Sequence, residues 1–133
     1  MTLTILDHFG QRIELMPRVE LYQVCDFMGK KMPGLAIVLD TIDEETGMME
    51  QFAVLTVSFG EFISLRNSAY IDLNNCWFAP QLLNQGIAKD TGLKKQSGYC
   101  EYPLWLFDPE FLEKIGGEQY QQYRAAYDTY SPF

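Results

Sequence analysis

His8 is the only histidine in the 133-residue chain. Catalytic dyads and triads need an imidazole held by a partner group, and zinc sites draw on several His and Cys ligands. His8 stands in Asp7-His8-Phe9-Gly10, a turn sequence between two alternating segments, so a solvated turn residue is the expectation. Serine hydrolase, His-dependent thiol protease and zinc chemistry are not expected. Cys100, in Ser97-Gly98-Tyr99-Cys100-Glu101-Tyr102-Pro103, is the sharper candidate. A nucleophilic thiol needs a lowered pKa, from a helix N-terminus, a cation or an imidazole. Lys94 and Lys95 are the nearest cations in sequence. The competing role, shared with Cys25 and Cys76, is that of a small buried hydrophobe. The chain carries no glycine-rich phosphate loop. No catalytic residue, metal or cofactor is therefore expected.

Asp40, Asp43, Glu44, Glu45 and Glu50 put five carboxylates within eleven residues. Paired carboxylates can run glycosidase chemistry inside a pocket, but the spacing does not match a calcium loop. A solvated hairpin tip is the plain reading. The sharper one is a surface that imitates a row of phosphates and occupies a basic groove on another protein. Tyr120, Tyr123 and Tyr127 follow one another at helical spacing, with Tyr130 and Phe133 beyond. Such a stripe packs on a core or anchors an interface, here a homodimer through Tyr120, Tyr123 and Tyr127.

The elements that position these groups follow from composition and pattern. A chain of this length makes one ordinary domain, 1–133, with a sizeable core. Hydrophobic residues at 47% and charged residues at 21% exclude disorder as the default. The net charge is −8, and the basic pairs Lys30-Lys31 and Lys94-Lys95 make no stripe for phosphate contacts. Direct nucleic-acid binding is not expected, nor a membrane span, since no apolar run approaches about 18 residues. Three cysteines without close pairing give no disulfide framework and fit a cytoplasmic protein.

Alternation at Leu3, Ile5, Ile13 and Leu15 predicts a hairpin, with Pro17 ending its second strand. The runs 35–39 and 52–59 predict a second hairpin around Gly47, central in the sheet. Residues 69–73 read as a strand, 93–100 as loop, and 102–107 as an edge strand because of Pro103. Pro80 opens a short helix. Asp108-Pro109 caps another, which Gly116-Gly117 breaks before a last helix over 118–127. The chain end from Thr129 is expected to fray. The fold class is α+β: a mostly antiparallel sheet of five to six strands, with two or three short helices packed on one face.

Tyr70-Ile71-Asp72-Leu73-Asn74-Asn75, Asn84-Gln85-Gly86-Ile87-Ala88, Thr91-Gly92 and the Ser97–Pro103 segment, with the runs at 35–39 and 52–57, resemble a family of small uncharacterised bacterial proteins. It is a domain of unknown function from gut anaerobes, often on conjugative or integrative elements. The resemblance covers roughly 35–110 and leaves the N-terminal hairpin and last helix unmatched. It implies a bacterial cytoplasmic accessory protein and carries over no catalytic residue.

The expected function is therefore non-enzymatic binding: an accessory protein of a mobile element acting through a protein partner, including inhibition of a host defence protein by an acidic surface. The expected contact residues are Asp43, Glu44, Glu45, Asn74, Asn75, Trp77, Ser97, Tyr99 and Tyr102. The alternative is a small-ligand protein or thiol-dependent enzyme centred on Cys100, in a pocket lined by Tyr99, Tyr102 and Trp77.

Overall fold

A computed structural model describes residues 1–26 and 28–130. In chain order the elements are β1 (Leu3–Leu6), β2 (Arg12–Cys25), β3 (Lys31–Ile42), β4 (Met49–Val54), β5 (Thr56–Val57), β6 (Ser68–Ile71), α1 (Ala79–Leu83), β7 (Ala88–Ser97), β8 (Cys100–Phe107) and α2 (Pro109–Tyr130). The fold is α+β, as expected, but its eight strands divide between two antiparallel four-stranded sheets, ordered β1-β2-β3-β4 and β5-β6-β8-β7. Leu55 is the corner between them. Its N–H donates to Ile37 of the first sheet and its carbonyl accepts from Asp72 after β6, both at 2.9 Å. The single run expected over 52–59 is thus two strands serving two sheets.

Local chemistry accounts for the hairpins. Asp7, Asp26 and Asp43 each follow a strand, and the Oδ1 of each accepts the N–H two residues on. Gly10, Gly29 and Gly47 then take positive φ and return the chain. In β2 and β3, Leu15, Val19, Leu35, Ile37 and Leu39 turn into the core, where α2 covers them. Gly34 admits the Tyr22 ring, which lies over its Cα where a side chain would stand. Asp108 Oδ2 accepts the N–H of Phe111 at 3.3 Å, capping α2. The helix kinks at Gly117, at the expected break.

Two prolines depart from expectation. β2 runs through Pro17, which pairs with Leu39 just beyond the last β1 rung, Leu3↔Leu15. No neighbour on that side asks for the missing N–H. β8 is an inner strand between β6 and β7, and Pro103 is tolerated because β7 bulges between Asp90 and Lys94. Residues 93–100, read as loop, are the end of β7 and its hairpin into β8. The second half of α2 continues through Thr129, whose Oγ1 donates to Ala125 O at 2.9 Å. Phe133 and the Tyr130 side chain lie outside the described residues.

Glutamine side chains close the open strand edges. Gln81 accepts from Leu6 N–H at 2.7 Å and donates to Leu6 O at 3.0 Å, while Gln85 donates to Thr4 O at 2.7 Å. A carboxamide is chemically a peptide group, so Gln81 of α1 and Gln85 just after it supply β1 with a substitute strand. Replacing both Gln81 and Gln85 by Ala is expected to cost about 1–2 kcal/mol and to make the protein self-associate with concentration. Thermal unfolding and sedimentation read the two effects; an unchanged, monodisperse variant would contradict them.

Candidate functional site

The β1–β2 turn is built by Asp7, whose Oδ1 accepts the N–H groups of Phe9 and Gln11, both at 2.8 Å. This fixes His8 and sets Phe9 in solvent at 89% exposure. The His8 ring lies 4.3 Å from Trp77. Trp77 meets Phe78 edge-on at 5.4 Å, and Phe78 is buried. An indole held between a core aromatic and a turn imidazole remains 40% exposed. Leu6, whose backbone is tied to Gln81 of α1, is exposed on the same hairpin. The His8–Trp77 pair, with the exposed Phe9 next to His8 in the turn, therefore forms an aromatic ledge.

The turn leading to Trp77 is as firmly built. Asp72 accepts from Asn75 N at 3.3 Å and from Asn75 Nδ2 at 2.8 Å, and Asn74 Nδ2 donates to Tyr102 OH at 3.2 Å. Tyr102 stands edge-on to Phe59 at 5.0 Å. The structure thus joins Asn74, Asn75, Trp77 and Tyr102 in one zone. Ser97 and Tyr99 sit at the hairpin between β7 and β8, with Tyr99 wholly exposed. Asp43, Glu44 and Glu45 go to the β3–β4 turn. Glu44 lines a groove of about 800 Å³ with Asp7, Gln11, Arg12 and Glu14 of the β1–β2 hairpin.

Two of the five clustered carboxylates are structural. Asp43 closes its own turn, and Asp40 is buried against Arg18 Nε at 2.7 Å. Hydrogen bonds that it donates to Glu20 and then to Asp40 hold the Arg18 guanidinium more firmly protonated than usual. Glu44, Glu45 and Glu50 remain exposed.

The tyrosine stripe is core. Tyr120, Tyr123 and Tyr127 are buried, so that face of α2 offers no surface in the single chain. Their hydroxyls are used internally. Tyr120 OH donates to Asn67 Oδ1 at 3.0 Å, Tyr123 OH accepts the Asn67 N–H at 3.0 Å, and Tyr127 OH donates to Ile63 O at 3.2 Å. Burial raises all three phenol pKa values, Tyr123 most.

The thiols do not converge. Cys76 is fully buried and its S–H donates to Val54 O at 3.4 Å; burial, then Asp72, push its pKa up to about 11. Cys100 is half-buried at the start of β8 and Cys25 is exposed. The pocket expected around Cys100 is not assembled from its three aromatics. Trp77 faces His8, Tyr102 faces Phe59 and Asn74, and Tyr99 stands in solvent. Among the described residues no group of three or more His, Cys, Asp or Glu is placed to hold a metal, and no helix is long and apolar enough to cross a membrane.

Sequence reasoning missed the His8–Trp77 contact, which carries no local signal. It also missed Asn67, the one non-glycine among the described residues with positive φ, at 65°. An Asn directly before a strand was the available clue, since Asn tolerates that region.

A family model described as Domain of unknown function (DUF4313) matches residues 18–127. The match runs from β2 through most of α2, including the last helix that the resemblance left out. No curated protein and no solved structure matches the chain.

Proposed function

The chain belongs to this DUF4313 family, a membership that supplies no activity, and we propose from its surface that it is a non-enzymatic binding protein that engages a protein partner. The carrying observation is the ledge in which the Trp77 indole, at 40% exposure, is pinned by His8, with Phe9, at 89% exposure, next in the same turn. Aromatic side chains held rigid before binding are the usual anchors of protein interfaces, because little side-chain entropy remains to be lost. The acidic β3–β4 turn borders the same hairpin through Glu44. The partner is accordingly a protein with an apolar pocket edged by basic residues. In the setting that the sequence resemblance implies, it is a host defence protein met by a mobile-element accessory protein.

Chemistry at Cys100 is less favoured. The cations it would need are engaged elsewhere, Lys94 with Glu101 at 3.4 Å and Lys95 with Glu61.

Affinity capture from bacterial lysate, run in parallel with Trp77→Ala, Phe9→Ser and Glu44→Lys variants, tests the proposal. The expected result is a partner whose recovery falls at least about tenfold, about 1.4 kcal/mol, with each of the first two variants and falls less, in a salt-dependent way, with the third. Equal capture by all four proteins would remove the ledge from consideration.

A further inference from the structure

β2 has a long side without a neighbouring strand. Among the described residues β1 pairs with it only as far as Leu15, whereas β3 follows its other side to Cys25. Leu21 shows which groups face the open lane, because its N–H donates to Gln119 Oε1 of α2 at 3.0 Å. Alternate residues of an antiparallel strand turn their backbone groups to the same side, so Val19 and Gln23 present N–H and C=O there as well. The prolines agree with this phase. Pro17, and Pro33 opposite Gln23, stand on the same set of rungs, where no N–H is needed between β2 and β3. A groove of about 430 Å³ follows the lane, lined by residues 18–21 on the strand side and by Ile115, Gly116 and Gln119 on the helix side. The Gln119 carboxamide supplies, at one rung, the acceptor that a peptide carbonyl would supply. Elsewhere the chain guards its edges more fully. Gln81 and Gln85 close β1 over Thr4 and Leu6. β7 bulges between Asp90 and Lys94 and carries Lys89, Lys94 and Lys95, common defences against strand addition. β2 keeps one register with β3 throughout.

A row of backbone donors and acceptors recognises an extended chain. The two faces of the lane set what that chain carries. Val19 packs toward α2, where a Cβ on Gly116 would lie 3.4 Å from Val19 Cγ2. Its neighbours Arg18 and Glu20 therefore stand on the opposite face. There Arg18 donates to both Glu20 and Asp40. One cation shared by two carboxylates leaves a negative charge, and the Glu20 side chain is 52% exposed. Residues of an added strand alternate between the faces, so one set meets Ile115 and Gly116 and the other meets Glu20. We propose that the 19–25 edge of β2 binds an extended segment of a partner protein, with alternating apolar and basic residues, as an added strand in line with β1. Gln119 then yields the Leu21 N–H to a carbonyl of the incoming chain. The site uses no residue of the aromatic ledge and stands independently of it.

Titration of an acetylated, amidated octapeptide of alternating lysine and valine into the full chain, followed by backbone amide resonances, tests the assignment. Saturable shifts are expected at the amides of Val19, Leu21 and Gln23. The same peptide N-methylated throughout keeps its charge but loses its backbone donors, and should bind at least about tenfold more weakly. So should the peptide with glutamate in place of lysine. Gln119→Ala frees the Leu21 N–H and should tighten binding. Glu20→Gln should weaken it about threefold and reduce its salt dependence. Gln23→Pro removes an edge N–H without touching a rung to β3, so it should weaken binding about tenfold with circular dichroism unchanged. If that variant does not fold, the N-methylated peptide decides. The proposal is overturned by no saturable shift at these amides up to ~1 mM peptide, by equal affinity for either control peptide, or by weaker binding to Gln119→Ala. Protection of the same amides by dimerisation of the chain alone would give the edge to a second copy and overturn it too.

Discussion

Gly116→Ala is expected to lower stability by about 3 kcal/mol or more and the melting temperature by about 10 °C. In an ordinary helix interior the same change adds roughly 0.5–1 kcal/mol, so the sign itself is the test. A Cβ on Gly116 would overlap the Cβ of Tyr120 and lie 3.0 Å from its Cγ, with Val19 Cγ2 at 3.4 Å on the other side. A Cβ position is set by the backbone, so no rotamer change relieves the overlap; one segment of α2 must shift. Tyr120 is among the largest fully buried side chains, and its hydroxyl holds Asn67, which holds Phe107. A shift would therefore pass from α2 through Asn67 into β8.

The adjacent Gly117 supplies the control. At φ 51° and ψ −138° it needs glycine for conformation, yet a Cβ there would meet nothing within 4 Å. Gly117→Ala should cost about 1–3 kcal/mol from backbone strain alone. Urea unfolding of both variants discriminates overlap from strain. A neutral or stabilising Gly116→Ala would contradict the packing of α2 on β2.

What the sequence made legible was local. The Asp43–Gly47 turn, the Asp108 cap and the Gly116-Gly117 break are each decided within a few residues, by a side chain bonding its own backbone or by a φ that only glycine takes easily. The strand reading failed where a distant neighbour decides. Pro17 and Pro103 signal edges, but a proline only needs one side of its strand to be undemanding. β1 ends in time for Pro17, and β7 bulges for Pro103. Leu55 cannot be recognised as a corner from Phe52–Phe59, because its role lies in bonds to Ile37 and to Asp72. The site was legible to the same degree. Trp77, Asn74 and Tyr102 could be selected as residue types, but their union depends on His8 and on the β6–β8 pairing. Asn67 becomes conspicuous only once Tyr120 and Tyr123 are seen to grip it.

The buried phenols make the protein alkali-labile. Burial raises the Tyr22, Tyr120, Tyr123 and Tyr127 pKa values, opposed in Tyr22 by a hydrogen bond to Ser58 and in Tyr123 by one to the Asn67 backbone. A group whose folded pKa exceeds its unfolded value holds its proton more tightly when folded. Its contribution is complete below the unfolded pKa, about 10 for tyrosine, and is lost as pH climbs toward the folded value. Within that window each such phenol removes about 1.4 kcal/mol of stability per pH unit. Tyr123 has the widest window, so it continues to act after the others have titrated. Cys76, raised to about 11, adds to the same loss. Stability is therefore expected to fall progressively above pH 10, with phenolate absorbance rising together with the loss of circular dichroism where the chain unfolds.

Tyr123→Phe separates this linkage from packing. At pH 7 it should cost about 1–3 kcal/mol, because the buried Asn67 N–H loses its acceptor. Above pH 10 its stability should fall less steeply than the wild type's, by about 1.4 kcal/mol per unit, so the two curves converge. A merely structural Tyr123 would leave them parallel. Phenolate appearing gradually in the still-folded protein near pH 10 would show that these hydroxyls reach water, and that the grip of α2 on Asn67 is looser than the distances require.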